Sequence, residues 1–207
     1  MQKTVVYLIR HSEQLKIHGI RNIEENDQIN NEKIILSVEG ENKARELSQR
    51  EELNNIDVIW SSNYVRAIST AKYIAYRNNL SINIDSNFNE RKLGDLNNLK
   101  EIGKDKKYSY TEEQLLDENF KNIDGENRIE VNKRMTTSLN KILQENEGKN
   151  IVIVSHSAAI KFLLMNWCEL NKELKLTYKN SIIDLKTPSL VKLEFNGKKL
   201  DDLSLIV

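Results

Sequence analysis

Two short apolar runs, far apart in the chain, each end at a histidine. The first run, at residues 4–9, is followed by Arg10-His11-Ser12, and the second, at 151–154, is followed by Ser155-His156-Ser157. Short runs rich in β-branched residues and bounded by polar ones are typical of buried strands. In open α/β sheets, ligands bind beyond the carboxyl ends of such strands. The two runs therefore predict a sheet that carries two of the chain's 3 histidines at one ligand-binding edge.

Strand-like and helix-like segments alternate along most of the chain. Further strands are predicted at 56–60, 80–84, 182–185, 190–195 and 203–207, and helices at 37–50, 64–77, 126–147 and 158–168. Ser37 is typical of a helix N-cap, and Asn196-Gly197 is typical of a hairpin turn between the last two strands. This alternation predicts an α/β fold of three layers, in which helices flank a largely parallel central sheet with an antiparallel C-terminal edge.

Composition and charge restrict the class of protein. The 31 basic and 31 acidic residues cancel, so the charge favours neither nucleic acid nor a membrane surface as a partner. The apolar runs are far shorter than the roughly 20 residues that span a bilayer, and no signal-peptide pattern is present, so we expect a cytoplasmic protein. The single Cys168 excludes an internal disulfide and is expected to be a buried structural thiol. Without repeats or a Gly/Pro-rich linker, residues 1–207 are predicted to form a single domain.

Three strand ends are expected to meet at one edge of the sheet. They are Arg10-His11-Ser12, the Ser61-Ser62 turn with Arg66 one helical turn later, and Ser155-His156-Ser157. Helix N-termini beside them offer unpaired N–H groups, and arginines offer forked donors that match phosphate oxygens. A histidine can donate a proton or act as a nucleophile. These residues predict a phosphate pocket assembled from separate segments. No Gly-rich phosphate-binding loop is present, which argues against a nucleoside triphosphatase.

Six segments in order along the chain resemble the motifs of the histidine phosphatase superfamily, also called the phosphoglycerate mutase-like or histidine acid phosphatase clan. The segments are 8–13 at the first histidine, 36–44 at a helix start, 61–71 around Arg66, 90–94 at the acid Glu90, 125–127 with Arg134, and 155–157 at the second histidine. Each motif alone is a weak signal. Their shared order over nearly the whole chain makes the resemblance specific.

The resemblance implies a phosphomonoesterase that acts on a small phosphorylated substrate through a phosphohistidine. His11 would be the nucleophile, and Glu90 would be the general acid and then the general base. Arg10, Arg66 and His156 would hold the phosphoryl oxygens, and His156 is also counted among the catalytic residues. We add Ser12 and Ser157 to the expected phosphate-binding residues. No cofactor and no metal are expected, because cationic side chains supply the positive charge.

Several positions depart from the family's pattern. Ser12 and Ser155 stand where the family has glycine, and 95–98 lacks the frequent Trp-Glu-Gly. Phosphoglycerate mutases carry Ser and Asn shortly after the first motif, whereas this chain has Gln14 and Ile17. These two positions favour a phosphatase over a phosphoglycerate mutase-type phosphotransferase, which stays an alternative. A phospho-ligand-binding module with little turnover is a third hypothesis, and the two serines are its support.

Two further assignments depend on placement in the fold. Glu126 competes with Glu90 for the role of proton donor. The alternative role for Glu126 is structural, as an acid that stabilises a helix N-terminus. His18, in the polar segment 13–33, is expected to be an exposed bystander. The segments 13–33 and 88–124 are expected to select the substrate, whose identity the sequence leaves open together with the oligomeric state.

Overall fold

The computed structural model describes residues 3–15, 28–94, 116–171, 173 and 175–206. The strands are β1 (Thr4–Arg10), β2 (Val58–Ser61), β3 (Ile82–Ile84), β4 (Asn150–Ser155), β5 (Glu169–Leu170), β6 (Leu176–Tyr178), β7 (Ser181–Ile183), β8 (Ser189–Asn196) and β9 (Lys199–Ile206). The α-helices are α1 (Gln28–Lys33), α2 (Val38–Ser48), α3 (Val65–Asn78), α4 (Arg128–Glu145) and α5 (Ser157–Leu164). Two 3₁₀ turns cover Glu51–Leu53 and Ser86–Phe88.

The central sheet has six strands in the order β3-β2-β4-β1-β8-β9. The first four in this order are parallel to one another, whereas β8 and β9 are antiparallel to their neighbours. The fold class predicted from the alternating elements is thereby confirmed. β1 and β4 pair with Arg10 opposite Ser155, so the two strands end level with each other. The residues that follow both strands therefore leave the sheet side by side.

Helices cover both faces of the sheet. Because successive side chains of a strand point to opposite faces, β1 and β4 supply both sides with apolar groups. Val6, Leu8 and Ile153 pack in a core with residues of α4 and α5. Tyr7 and Ile9 pack in a second core with residues of α2 and α3. The unbroken apolar sequence of the two strands reflects this burial on both faces, as is usual for parallel strands.

The C-terminal hairpin forms as its turn sequence predicts. Asn196 pairs with Lys199, which leaves Gly197 and Lys198 as a two-residue loop. Gly197 has φ +59°, the left-handed conformation that the first central position of a type II′ hairpin turn requires. The glycine of the Asn196-Gly197 signal therefore supplies the backbone conformation that reverses the chain.

The predicted elements differ from the structure mainly at their ends and in the shortest strands. The predicted helix at 158–168 is wrong beyond Leu164, where α5 ends. Trp167 and Cys168 lie in the following turn but still pack on the core, so the apolar pattern outlasts the helix. Cys168 is buried and unpaired, as expected. The sequence predicts a strand at 182–185, close to β7, but it predicts neither α1 nor the strands β5 and β6. Elements of two to six residues carry little periodicity.

Some predictions concern residues outside the described ranges. His18, Ile17 and the segment 95–98 are among them, as is most of the segment 88–124 that is expected to select the substrate. Within the described ranges, no helix combines the length and apolar character needed to cross a membrane.

Candidate active site

The ends of β1, β2 and β4 bring two histidines together. The backbone N–H of His11 donates to the carbonyl of Ser155 at 2.9 Å, which joins the chain beyond β1 to the end of β4. The ring centroids of His11 and His156 lie 5.0 Å apart. The N–H of Ser62, just after β2, donates to the Val154 carbonyl at 3.0 Å. Three consecutive strand ends thus form one edge, as the sequence predicts.

The hydrogen bonds of His11 define which ring nitrogen carries the proton. Nδ1 lies 2.7 Å from the carbonyl oxygen of Ser12, and a carbonyl can only accept, so Nδ1 is the protonated nitrogen. Nε2 accepts from Nε of Arg66 at 3.1 Å. Burial, together with the charges of Arg66 and Arg10, lowers the pKa of His11 to about 3. The imidazole is therefore neutral near pH 7, with its lone pair on Nε2.

Arg66 is fixed in place on several sides. Its side chain is buried, and its Nη1 donates to the backbone carbonyl of Asn31 at 2.6 Å. Its Cζ lies 4.9 Å from the ring centroid of Tyr64, the fully buried N-cap residue of α3. Burial lowers the pKa of Arg66, and the negative charge of Glu90 opposes that shift. The guanidinium is thus a positioned cation beside the His11 ring.

Arg10 supplies a second cation at the same edge. Its Nη1 donates to the carbonyl of Leu185. Its Nε is buried and finds no hydrogen-bond partner among the described residues. Burial lowers the pKa of Arg10, whereas the charge of Glu90 raises it. An unpaired buried donor is rare in native proteins, and at this edge it is a donor suited to an anion.

His156 is enclosed between the neighbouring strand end and two aromatic rings. It is fully buried, and its Nε2 lies 2.7 Å from the hydroxyl of Ser62. Its ring centroid lies 4.7 Å from that of Tyr64. Burial, followed by the positive charges around it, holds the pKa of His156 well below its ordinary value. Its Nδ1 is buried and has no partner within the described part of the chain.

Glu90 lies at the N-terminus of α5, directly beyond His156. Its carboxylate accepts from the N–H of Ala159 at 3.1 Å and from the N–H of Ala158 at 3.4 Å. Unpaired N–H groups and the helix dipole favour a negative charge at this place. Its charge also acts on both Arg10 and Arg66. The structure therefore brings the predicted acid to the same edge as the two arginines and the two histidines.

Glu126, the competing acid, is occupied by an ion pair. Its two carboxylate oxygens accept from Nε and Nη2 of Arg134 at 2.8 and 2.9 Å. It also accepts from the N–H of Lys92 at 2.9 Å. Although burial favours the neutral form, the hydrogen bond from Arg134 and that from Lys92 outweigh it and lower the pKa of Glu126. Both oxygens of Glu126 are thus committed to Arg134 and a backbone amide, whereas the charge of Glu90 acts on both arginines of the edge, so the geometry favours Glu90.

The serines that replace family glycines hold backbone groups. Ser12 donates its hydroxyl proton to the Gly40 carbonyl at 2.7 Å, and Ser155 donates its own to the Phe88 carbonyl at 2.7 Å. Each hydroxyl has one proton, so the structure does not present the Ser12 side chain as a phosphate donor. Neither residue has a positive φ, so their backbone angles do not require glycine. Ser157 is half-buried and is the first residue of α5, where its N–H has no intrahelical acceptor.

Several residues that shape the site were not assigned a role from the sequence. Ser62 contacts His156, and Tyr64 packs between His156 and Arg66. Ser62 follows β2 just as His11 and His156 follow β1 and β4. This position after a strand is a sequence signal that could have indicated the contact of Ser62 with the site. Gly40 lies in the segment 36–44 that resembles a family motif, but nothing in that motif indicates its contact with Ser12. The contact of the Asn31 carbonyl with Arg66 likewise depends on the tertiary fold.

The assembled groups suit an anion. Guanidinium groups, imidazoles and helix N–H groups all attract negative charge. In the part of the chain that the structure describes, no three His, Cys, Asp or Glu side chains are grouped so that they could hold a metal ion. A phosphoryl group placed here would lie beside a neutral imidazole nitrogen and within reach of a carboxyl group. This arrangement can support nucleophilic attack on phosphorus.

Comparisons with known proteins identify the family and the fold. The sequence pattern of the histidine phosphatase superfamily (branch 1) matches residues 6–203. Phosphoglycerate mutase-like protein 4 of Arabidopsis thaliana is 28% identical over 171 residues, which cover 76% of this chain and 68% of that protein. A mycobacterial glucosyl-3-phosphoglycerate phosphatase matches with a TM-score of 0.66 at 18% identity, covering 100% of this chain and 98% of its own. Phosphoserine phosphatase from Entamoeba histolytica, in complex with phosphoserine, matches with a TM-score of 0.66 at 22% identity, covering 97% and 96%. These structural likenesses show a shared fold.

Proposed function

Because this chain belongs to the histidine phosphatase superfamily (branch 1), we propose that it hydrolyses a small phosphate monoester through a phosphohistidine on His11. The observation that carries the proposal is the state of the His11 ring. Its Nδ1 proton is held by the Ser12 carbonyl, and its Nε2 lone pair faces the guanidinium of Arg66. A neutral, oriented imidazole beside fixed cations is suited to attack a phosphoryl group that those cations bind.

The phosphoryl group would be held by Arg10, Arg66, His156 and the N–H of Ser157, the first residue of α5. Nε of Arg10 and Nδ1 of His156 are buried atoms without a partner among the described residues, and phosphoryl oxygens would satisfy both. This requires His156 to carry its proton on Nδ1, with the Ser62 hydroxyl donating to Nε2. Positioning and charge stabilisation of this kind supply most of the catalysis in phosphoryl transfer.

The reaction proceeds in two steps. In the first, Nε2 of His11 forms a bond to phosphorus, the ester P–O bond breaks, and the carboxyl group of Glu90 gives its proton to the leaving oxygen. In the second, the Glu90 carboxylate takes a proton from water, and the water oxygen bonds to phosphorus while the N–P bond breaks. Inorganic phosphate leaves, and His11 and Glu90 return to their starting states. No cofactor and no metal enter this scheme.

Phosphate release from p-nitrophenyl phosphate tests the proposal. We expect turnover by the wild-type protein without added metal, and loss of at least about 1,000-fold in His11→Ala, because alanine leaves no nucleophile at this position. Arg77→Ala is a control, since Arg77 lies at the far end of α3 and donates to the Ser48 carbonyl. Equal turnover by wild type and His11→Ala would contradict the phosphohistidine route.

A mutase-type phosphotransferase is the second candidate, because the Arabidopsis relative is named a phosphoglycerate mutase-like protein. The two activities differ in the acceptor of the phosphoryl group, which is water for a phosphatase and a second phosphoglycerate for a mutase. Incubation with labelled phosphoglycerate separates them by product. Release of inorganic phosphate supports the phosphatase, whereas isomerised phosphoglycerate supports the mutase.

The third hypothesis, a module that binds phosphate without turnover, drew its support from Ser12 and Ser155. Both hydroxyls donate to backbone carbonyls, and neither backbone needs a glycine conformation. The two serines therefore give no structural reason for lost catalysis, and the hydrolase is the better-supported proposal.

A further inference from the structure

The four backbone carbonyls at 87–90 are all held by side chains from other elements. Arg134 of α4 donates to the carbonyls of Asn87 at 2.6 Å, Asn89 at 3.0 Å and Glu90 at 3.3 Å. Ser155, at the end of β4, donates to the carbonyl of Phe88 at 2.7 Å. Within the described ranges this segment pairs with no strand, so these side chains hold it in place. Its last residue is the proposed acid.

Arg134 is itself held by Glu126. The two side chains make a bidentate pair at 2.8 and 2.9 Å, and only 17% and 18% of their surfaces are exposed. Glu126 also accepts from the N–H of Lys92, two residues beyond Glu90. The pair therefore contacts the backbone on both sides of Glu90, through carbonyls before it and an amide after it.

We propose that Arg134, oriented by Glu126, is a positioning residue that places the Glu90 carboxylate at the N-terminus of α5. The inference rests on the proposed function, in which Glu90 is the general acid. Only arginine offers the several coplanar N–H donors that three carbonyls and a carboxylate require at once, whereas lysine offers a single ammonium. Without these bonds, the Glu90 backbone is free to move, and a displacement of about 1 Å can lower a rate about 100-fold.

The choice of leaving group separates positioning of the acid from support of the fold. p-Nitrophenyl phosphate leaves as a stable anion and needs little help from an acid, whereas an alkyl ester such as phosphoserine leaves as an alkoxide that must be protonated. We compare kcat/KM, which covers the steps up to release of the leaving group and leaves out the hydrolysis of phosphohistidine that both substrates share. In Arg134→Lys we expect kcat/KM for phosphoserine to fall about 100-fold and kcat/KM for p-nitrophenyl phosphate to fall only a few-fold. Glu90→Gln should show the same selectivity, because it removes the acid directly.

Arg128→Lys is the matched control. Arg128 lies on the same helix and pairs with Glu118, but makes none of the hydrogen bonds to 87–90 described above. We expect both substrates to be turned over by this variant at the wild-type rate. Equal loss of kcat/KM on both substrates in Arg134→Lys, or no loss on either, would overturn the positioning role.

Amide signals provide a readout that does not depend on turnover. The N–H groups of Ala158 and Ala159 donate to the Glu90 carboxylate, so their NMR shifts report its position. Both signals should move in Arg134→Lys in the direction seen in Glu90→Gln, and stay in place in Arg128→Lys. Unmoved signals in Arg134→Lys would overturn the inference even in a protein that lacks phosphatase activity.

Wild-type protein that hydrolyses neither ester would instead contradict the proposed function. If Arg134→Lys does not fold, Glu126→Gln, which weakens the pair that orients Arg134, takes its place in both measurements.

Discussion

At the scale of single residues, the reactivity of His11 depends on which of its nitrogens is protonated. The Ser12 carbonyl needs a donor, so it holds the proton on Nδ1 and leaves Nε2 with its lone pair. Arg66 then has two effects on the ring. Its charge disfavours the imidazolium form, and its Nε donates to Nε2 and orients it. A phosphoryl group that binds Arg66 would displace this hydrogen bond and come within reach of the nitrogen.

The buried histidines make folding stability depend on pH. The pKa of His11 is lowered to about 3 in the folded protein, against about 6.5 in the unfolded chain. The unfolded state therefore binds more protons between these values, so the stability that is fully present above pH 6.5 is lost as the pH falls toward 3. We expect His11 to remove about 2 kcal/mol of unfolding free energy between pH 7 and pH 5. His156, whose pKa is also lowered, acts in the same direction.

Urea unfolding at pH 7 and pH 5 measures this effect in wild type and in His11→Asn. The variant should lose about 2 kcal/mol less than the wild type over this interval, because asparagine does not titrate. An identical pH dependence in the two proteins would show that His11 is not held neutral by burial.

The positions of some site residues could be predicted from sequence, and the contacts of others could not. His11, Arg66 and His156 lie just beyond strand ends, where a local apolar pattern and the rules of α/β sheets already locate a site. The hydroxyl of Ser12 is different, because its acceptor is the Gly40 carbonyl in another element. No pattern around Ser12 distinguishes a hydroxyl that binds phosphate from one that binds a helix.

At the scale of elements, the site depends on how closely α2 approaches the end of β1. Gly40 lies in the first turn of α2, and a Cβ at that position would lie 2.0 Å from the backbone carbonyl oxygen of Glu13. Backbone cannot move aside as a flexible side chain can. The absence of a side chain at Gly40 therefore lets the helix contact the segment that carries His11 and Ser12.

Gly40→Ala should consequently be destabilising although alanine is the better helix former. We expect a loss of about 1–3 kcal/mol of unfolding free energy, as for other overpacked sites, together with reduced phosphatase activity because the Ser12 contact to Gly40 is displaced. Denaturant titration and phosphate release measure the two effects. Glu39→Ala, on the exposed side of the same turn, is the control. It should change the unfolding free energy by no more than about 0.5 kcal/mol and leave the rate of phosphate release close to that of the wild type. A Gly40→Ala protein as stable and active as this control would contradict the close approach.

Element types were easier to predict than element ends. β1 and β4 have continuous apolar sequences because both of their faces are covered, and such runs are recognised from sequence alone. The end of α5 was not recognised, because Trp167 and Cys168 pack on the core after the helix has stopped. Apolar side chains stay buried beyond the last residue of α5. A hydrophobic pattern indicates which residues are buried, not where the helix hydrogen bonds end, so it does not locate the helix end.

At the scale of the whole molecule, a local concentration of positive charge occurs in a chain whose formal net charge is zero. The sheet order places the ends of β2, β4 and β1 next to one another, so Arg66, His156, Arg10 and His11 meet although they are distant in sequence. The guanidinium groups of Arg10 and Arg66 repel each other at this edge, and a bound anion would offset that repulsion. Binding of phosphate should therefore stabilise the folded state as a whole.

Thermal unfolding with inorganic phosphate measures this coupling. At a phosphate concentration 100 times its Kd, we expect about 2.7 kcal/mol of added stability and a higher Tm. Arg66→Met should remove most of the increase, whereas Arg45→Met, on the exposed surface of α2, should leave it unchanged. The same increase in wild type and Arg66→Met would show that phosphate does not bind through the proposed site.

The central claim is that the phosphoryl group passes through His11, and trapping of the intermediate tests it most directly. Protein mixed with p-nitrophenyl phosphate is quenched in alkali, which preserves phosphohistidine, and the modified peptide is located by mass spectrometry. We predict a phosphoryl group on His11, absent from His11→Ala and more abundant in Glu90→Gln, where removal of phosphate by water is slowed. A protein that turns over substrate with no phosphoryl group on His11, or with one on another residue, would contradict the account.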